Sequence, residues 1–119
     1  MKIIGAKGCF FSVNVNFKIS SGSIGPSHQY VYMVQTKEGL YGFGGGVGSP
    51  PYINKFAFRK TKKHLINLNI SNRRDIEKFS EFMRSIRVDK YVIYGLETAL
   101  YDLLGKIENK PFYCYFGQK

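Results

Sequence analysis

YVYMVQTKEGLYGFG, Tyr30 to Gly44, decides the fold. Its first seven residues are rich in β-branched and aromatic side chains, and LYGFG closes it in the same style. Between them Lys37-Glu38-Gly39 suits a short hairpin turn, with Gly39 at the position that needs positive φ. The stretch predicts two antiparallel strands. Upstream, Phe11, Val13, Val15, Phe17 and Ile19 alternate with Ser12, Asn14, Asn16, Lys18 and Ser20, the period of a strand with one face in a core. SSGSIGPSHQ, Ser20–Gln29, reads as the loop between them from its Gly, Ser and Pro content.

Downstream the period changes. Gly44–Tyr52, GGGVGSPPY, reads as a loop, because glycines weaken helix and strand alike and prolines deny donors to a ladder. Asn54–Leu68 reads as a helix. Asn72 can cap a second helix, with Asp75 at its third position complementing the dipole and Ile76, Phe79, Phe82, Met83 and Ile86 at helical spacing. A third helix carries a broad apolar stripe of Val92, Ile93, Leu96, Ala99, Leu100, Leu103 and Leu104. Strands first and helices afterwards predict an α+β fold, a three-stranded antiparallel meander followed by a bundle of about three helices. No internal linker divides residues 1–119, so one domain is expected.

Composition narrows the function classes. The 119 residues are 44% hydrophobic and 16% aromatic, which excludes intrinsic disorder, and no apolar run approaches the roughly 20 residues of a membrane span. MKIIGAKGCFF, Met1–Phe11, is too short an apolar run for a signal peptide, is broken by Lys7 and lacks a cleavage site. It reads as a strand of a soluble cytoplasmic protein. Cys9 and Cys114 lie far apart in apolar company, so buried reduced thiols are expected rather than a disulfide or metal site.

The net charge of +10 is unevenly spread. Lys55, Arg59, Lys60, Lys62 and Lys63 form a one-sign patch, whereas Arg73, Arg74, Lys78 and Arg84 are interleaved with Asp75, Glu77 and Glu81 as surface ion pairs. GFGGGVG is followed by Ser49-Pro50-Pro51 and not directly by a helix, nor by Gly-Lys-Ser/Thr, so it reads as structural rather than as a phosphate cradle. His28 and His64 have no nucleophile or ligand at useful spacing and read as surface or half-buried side chains. Asp102, inside the apolar helix, is expected to accept a hydrogen bond from a neighbour. The aromatics of the strands read as sheet core.

In order and motif the chain resembles the N-terminal capping domain of the enolase superfamily, in its mandelate racemase and muconate-lactonizing branch. MKIIGAKGCFFSV resembles the first strand, NFKISSGSI the loop that closes over the active site, YVYMVQTKEGLYGFG the hairpin and SPPYI the second lid loop. NISNRRDIEKFSEFM resembles the capped middle helix, and GLETALYDLLGKIENKPFYCYFG the helix and turn leading to a (β/α) barrel after the glycine matched by Gly117. The resemblance implies a substrate lid made of Ile19, Ser20, Ser21, Gly22, Ser23 and Ile24 together with Gly48, Ser49, Pro50 and Tyr52. It implies no catalytic residue and no cofactor in this chain; the magnesium and the acid-base residues that abstract a proton beside a carboxylate belong to the barrel. Two positions depart from the family: Gly45 stands where a glutamate is usual, and Lys55-Phe56 where Gly-Glu is common.

The expectation is thus a non-catalytic cap, a truncated or split relative of racemases, epimerases, cycloisomerases or dehydratases, with a separately encoded barrel as possible partner. Two rivals stand beside it. One is a small nucleic-acid-binding module acting through the basic patch, a partner less favoured than the barrel. The other is a self-associating structural domain joined through apolar surface such as FYCYF, Phe112–Phe116. No membrane partner is expected.

Overall fold

A computed structural model describes residues 1–13, 18–19, 22–23, 27–47 and 50–110, and for 11–13, 18–19, 22–23, 27–28 and 47 the backbone alone. Strands β1 (Ile3–Val13), β4 (Ser27–Thr36) and β5 (Tyr41–Val47) form an antiparallel sheet in that order. A two-stranded hairpin, β2 (Lys18–Ile19) with β3 (Gly22–Ser23), interrupts the connection from β1 to β4. Helices α1 (Pro51–Leu65), α2 (Arg73–Ser85) and α3 (Lys90–Glu108) follow. The meander and three helices expected from the sequence are therefore present.

The core lies between one face of the sheet and the helices. Ala6 on β1 and Tyr30, Tyr32 and Val34 on β4 point inward at period two, against Leu96, Leu100, Leu103 and Leu104 of α3 and Ile76, Phe79 and Met83 of α2. Gly39 turns the hairpin at φ 92°, its N–H bonded to the Thr36 carbonyl at 3.0 Å. Asn72 and Asp75 make a full capping box, each side chain accepting from the other's backbone N–H, which satisfies two donors that helix geometry leaves free. Asp89 caps α3 by accepting from the N–H groups of Tyr91 and Val92. Asp102 accepts from the Phe43 N–H at 2.9 Å and pairs with Lys106 at 3.2 Å, while Lys106 donates to the Tyr41 carbonyl. These two side chains of α3 satisfy outward backbone groups of edge strand β5, which protects that edge from pairing with another chain.

Several expectations are corrected. Gly44–Val47 belong to β5 and not to a loop, and α1 opens at Pro51 rather than Asn54. Proline suits the first helical position because its missing N–H would have no partner there. The helix closes at Leu65 rather than Leu68, since Asn67 turns to φ 73° and donates its N–H to Ile3. Within Ser20–Gln29, Gly22–Ser23 and Ser27–Gln29 are strand rather than loop. Cys9 is exposed, not buried. A register shift between Ile3 and Gly5 moves the inward phase from Ile3 to Ala6, and so turns Cys9 to the outer face. Asn14–Phe17 of the alternating run, Cys114 and Phe112–Phe116 lie outside the described residues.

The turn between α2 and α3 carries a local strain. The Val88 N–H returns to the Met83 carbonyl at 3.1 Å and the Arg87 N–H to Arg84 at 3.0 Å, with Val88 and Met83 both buried. This is the Schellman arrangement, yet its left-handed position, φ 60°, is filled by Arg87 instead of glycine. Left-handed geometry costs an ordinary residue about 1–2 kcal/mol, partly offset by the extra unfolded-state freedom of glycine. Arg87→Gly is expected to raise the melting temperature by a few degrees, about 0.5–1 kcal/mol. An unchanged or lower melting temperature in a calorimetric scan would refute the strain.

Candidate functional site

The sheet register brings the strand ends that flank both candidate lid segments to one end of the sheet. Val13, the last residue of β1, is the partner of Ser27, and Val47, the last of β5, is the partner of Gln29. The β1–β4 connection with its hairpin and the β5–α1 connection therefore leave the sheet side by side. Ile19 and Gly22 are register partners in the hairpin, and Ser23 follows in β3. Pro50 is exposed at the start of α1, and Tyr52 beside it is 74% exposed. Ser20, Ser21, Ile24, Gly48 and Ser49 lie outside the described residues.

Helix α3 brings its first turns to the same end, because it runs antiparallel to β5 with Gly44 against Gly95 and Ala99, and Gly42 against Ala99 and Leu103. A pocket of about 140 Å³ opens there, walled by Tyr30, Tyr32, Tyr91 and Tyr94 and floored by Gly45, Gly46 and Gly95. Tyr30 and Tyr32 are buried with parallel rings 6.4 Å apart; Tyr91 and Tyr94 are exposed at the rim. The Tyr32 hydroxyl accepts from the Asn54 amide at 2.6 Å, which ties β4 to the first turn of α1.

Burial is the main cause that pushes Tyr32 up to about 12, opposed by the Asn54 hydrogen bond and reinforced by Tyr30 and the Asp89 carboxylate. Burial, then Asp89, raise Tyr30 as well. Both phenols are neutral at physiological pH and offer packing and hydrogen bonds rather than acid-base chemistry. Among the described residues no three His, Cys, Asp or Glu side chains converge as metal ligands.

Sequence reasoning assigned the strand tyrosines to the core, which holds for Tyr30 and Tyr32, but missed the pocket. The available signal was the spacing Tyr30-x-Tyr32, which places both rings on one face. His64 is half-buried with its ring edge-on to Phe82 at 5.1 Å, and Glu77 pairs with Arg73 at 3.3 Å, both as expected. The basic patch lies on α1: Arg59, Lys60 and Lys63 gather with Phe56 around one depression, and Lys55 and Lys62 are exposed on the same helix outside that lining.

Residues 8–117 match the N-terminal domain of mandelate racemase and muconate lactonizing enzymes. The chain belongs to that family. The dipeptide epimerase of Enterococcus faecalis V583, solved with Mg and the dipeptide L-Leu-L-Tyr, is 26% identical over 98% of this chain and 35% of its own, with a TM-score of 0.78. The dipeptide epimerase of Cytophaga hutchinsonii, solved with Mg and D-Ala-L-Val, is 25% identical over 100% of this chain and 34% of its own, with a TM-score of 0.76. The L-Ala-D/L-Glu epimerase of Bacillus subtilis shares the fold at 17% identity and a TM-score of 0.79, over 98% of this chain and 34% of its own. The chain thus spans about a third of the length of these enzymes. No curated protein sequence matches it significantly. Among the described residues no helix is long and apolar enough to cross a membrane.

Proposed function

We propose that this member of the mandelate racemase and muconate lactonizing family is its capping domain, a lid that closes over substrate held by a barrel carried on the same or a second polypeptide. The observation that supports this reading is the register. Val13, Ser27 and Val47, the strand ends that flank both candidate lid segments, share one end of the sheet. Side chains there contact substrate and exclude water, which strengthens electrostatic interactions beneath a closed lid. Proton abstraction beside a carboxylate, and the magnesium that stabilises its product, belong to the barrel.

The test uses deuterium exchange. With magnesium and L-Leu-L-Tyr in heavy water, the chain alone is expected to exchange no α-proton. Joined to the barrel portion of the E. faecalis epimerase, it is expected to give exchange well above that of the barrel portion by itself. Metal-dependent deuteration by the chain alone would overturn the non-catalytic reading. Equal exchange by the fusion and the uncapped barrel portion would overturn the lid.

A further inference from the structure

Helix α1 has a face that the fold does not use. Asn54, Ala57, Thr61 and Leu65 are buried, and opposite them, at 3.6 residues per turn, Tyr52, Phe56, Arg59 and Lys63 form one stripe along the outside. Tyr52 is 74% exposed and Phe56 70%, more than any other large apolar side chain among the described residues. Lys55 and Lys62 are exposed on one flank of the stripe. The fifteen residues of α1 contain no Asp or Glu. Lys55, Arg59, Lys62 and Lys63 enter no ion pair among the described residues, whereas Arg73, Arg84, Lys106 and Lys110 each pair with a carboxylate.

Rings and cations meet at a depression of about 440 Å³ lined by Phe56, Arg59, Lys60 and Lys63. Lys60 is held at its wall by donating to the Ile86 carbonyl at 3.1 Å, and an ammonium that has used one donor keeps two. An apolar ring beside three cations suits a planar aromatic group carrying phosphate. Two features exceed the needs of one nucleotide. Tyr52 adds a second ring one turn away, about 6 Å along the axis, and Lys55 and Lys62 extend the positive surface beyond the depression. A second copy of this chain would bring a like charge against the patch.

We propose that the outer face of α1 binds single-stranded nucleic acid, with Phe56 and Tyr52 stacking bases and Arg59, Lys60, Lys63, Lys55 and Lys62 neutralising phosphates. Stacking on an aromatic side chain is sequence-tolerant, and phosphate contacts release counterions. The fit concerns a face of α1 pointing away from the core; it shares Tyr52 alone with the candidate lid, and Phe56 and the five cations lie outside it.

The probe is fluorescein-labelled dT20, titrated by anisotropy with the full chain from 50 to 200 mM salt. Binding is expected to fall with salt at a log-log slope of about −0.7 per phosphate neutralised. R59A/K63A is expected to make that slope shallower by about 1.4, the share of two phosphates. F56A is expected to weaken binding about tenfold with the slope kept, as loss of one stacked base would. R73A/R74A on α2 serves as the control and is expected to leave both quantities unchanged. All these side chains are exposed or line a surface depression, and a melting curve of each variant checks the fold. No binding at 50 mM salt, or loss of binding in the α2 variant equal to that in the α1 variants, overturns the proposal. Displacement of dT20 by equimolar ATP assigns the depression to free nucleotides and overturns the polymer. Binding to phosphatidylserine-phosphatidylcholine vesicles but not to dT20 assigns the face to a lipid surface and overturns it equally.

Discussion

Gly44→Ala is expected to cost about 3 kcal/mol and to lower the melting temperature by roughly 10 °C. A Cβ at position 44 would come within 3.0 Å of the Gly95 carbonyl oxygen and the Ala99 amide nitrogen. Both belong to the backbone of α3, which cannot rotate away as a side chain can. Relief requires the helix to lift from β5, and α3 is the most buried helix in the chain, with Leu96, Leu100, Leu103 and Leu104 fully buried. Lifting it opens voids along that row, and voids cost in proportion to the volume left unfilled. Gly95→Ala meets a different obstacle, the Tyr32 ring, within 3.0 Å. That ring is buried and held by Asn54, so the cost is expected to be comparable. Gly39→Ala meets nothing within 4 Å and pays only for its φ of 92°, about 1 kcal/mol. Urea denaturation of the three variants checks the order. A Gly44→Ala protein within 0.5 kcal/mol of the parent would show that α3 does not rest on the strand as described.

The same contact explains why the glycine run was illegible in sequence. Local propensity says that Gly44, Gly45 and Gly46 weaken a strand, and it is correct as far as it goes. What overrides it is the ladder to β4 along the whole run and, at Gly44, the approach of Gly95 and Ala99 some fifty residues further along the chain, and no local pattern reports that. Features set by neighbours within four residues were legible: the Gly39 turn, the Asn72–Asp75 box and the stripe of α3. Asp102 was also legible as a hydrogen-bond acceptor, because a carboxylate in an apolar helix needs a donor, although its partner on β5 was not. Cys9 failed for a different reason. A single irregularity near Ile3 reverses the inward phase of every later residue in the strand, and Ile-Ile-Gly-Ala carries no unambiguous mark of it.

The candidate site divides along the same line. The candidate lid positions came from resemblance in order and motif, and the register that brings the flanking strand ends together is a long-range property of the sheet. The basic patch was legible as a charge run, but the exposure of Phe56 and Tyr52 beside it was not, since an aromatic at helical spacing is ordinarily core. The tyrosine pocket needed three elements at once, β4, β5 and α3, to become visible.

Tyr32 makes the fold sensitive to alkali, and the sign follows from its burial. Its hydroxyl is neutral in the core and pushed up to about 12 from an ordinary 10, so between these values the unfolded chain has lost a proton that the folded chain retains. Stability rises with pH only where the unfolded state holds more protons; here it holds fewer. The contribution is therefore complete below pH 10 and is lost as pH climbs toward 12, by roughly 2–3 kcal/mol at about 1.4 kcal/mol per unit. Tyr32→Phe removes the titrating group while keeping the ring that packs beside Phe58 at 5.4 Å. At pH 8 this variant is expected to be less stable by about 1–2 kcal/mol, because the buried Asn54 amide loses its acceptor. Between pH 10 and 12 the gap should close or reverse, since the variant lacks the Tyr32 phenol while Tyr30 is common to both. Every group common to the two proteins acts on both and cancels in the comparison. Urea midpoints measured for the pair from pH 8 to 12 decide the matter: converging curves assign the alkaline transition to Tyr32, and parallel curves would place it elsewhere.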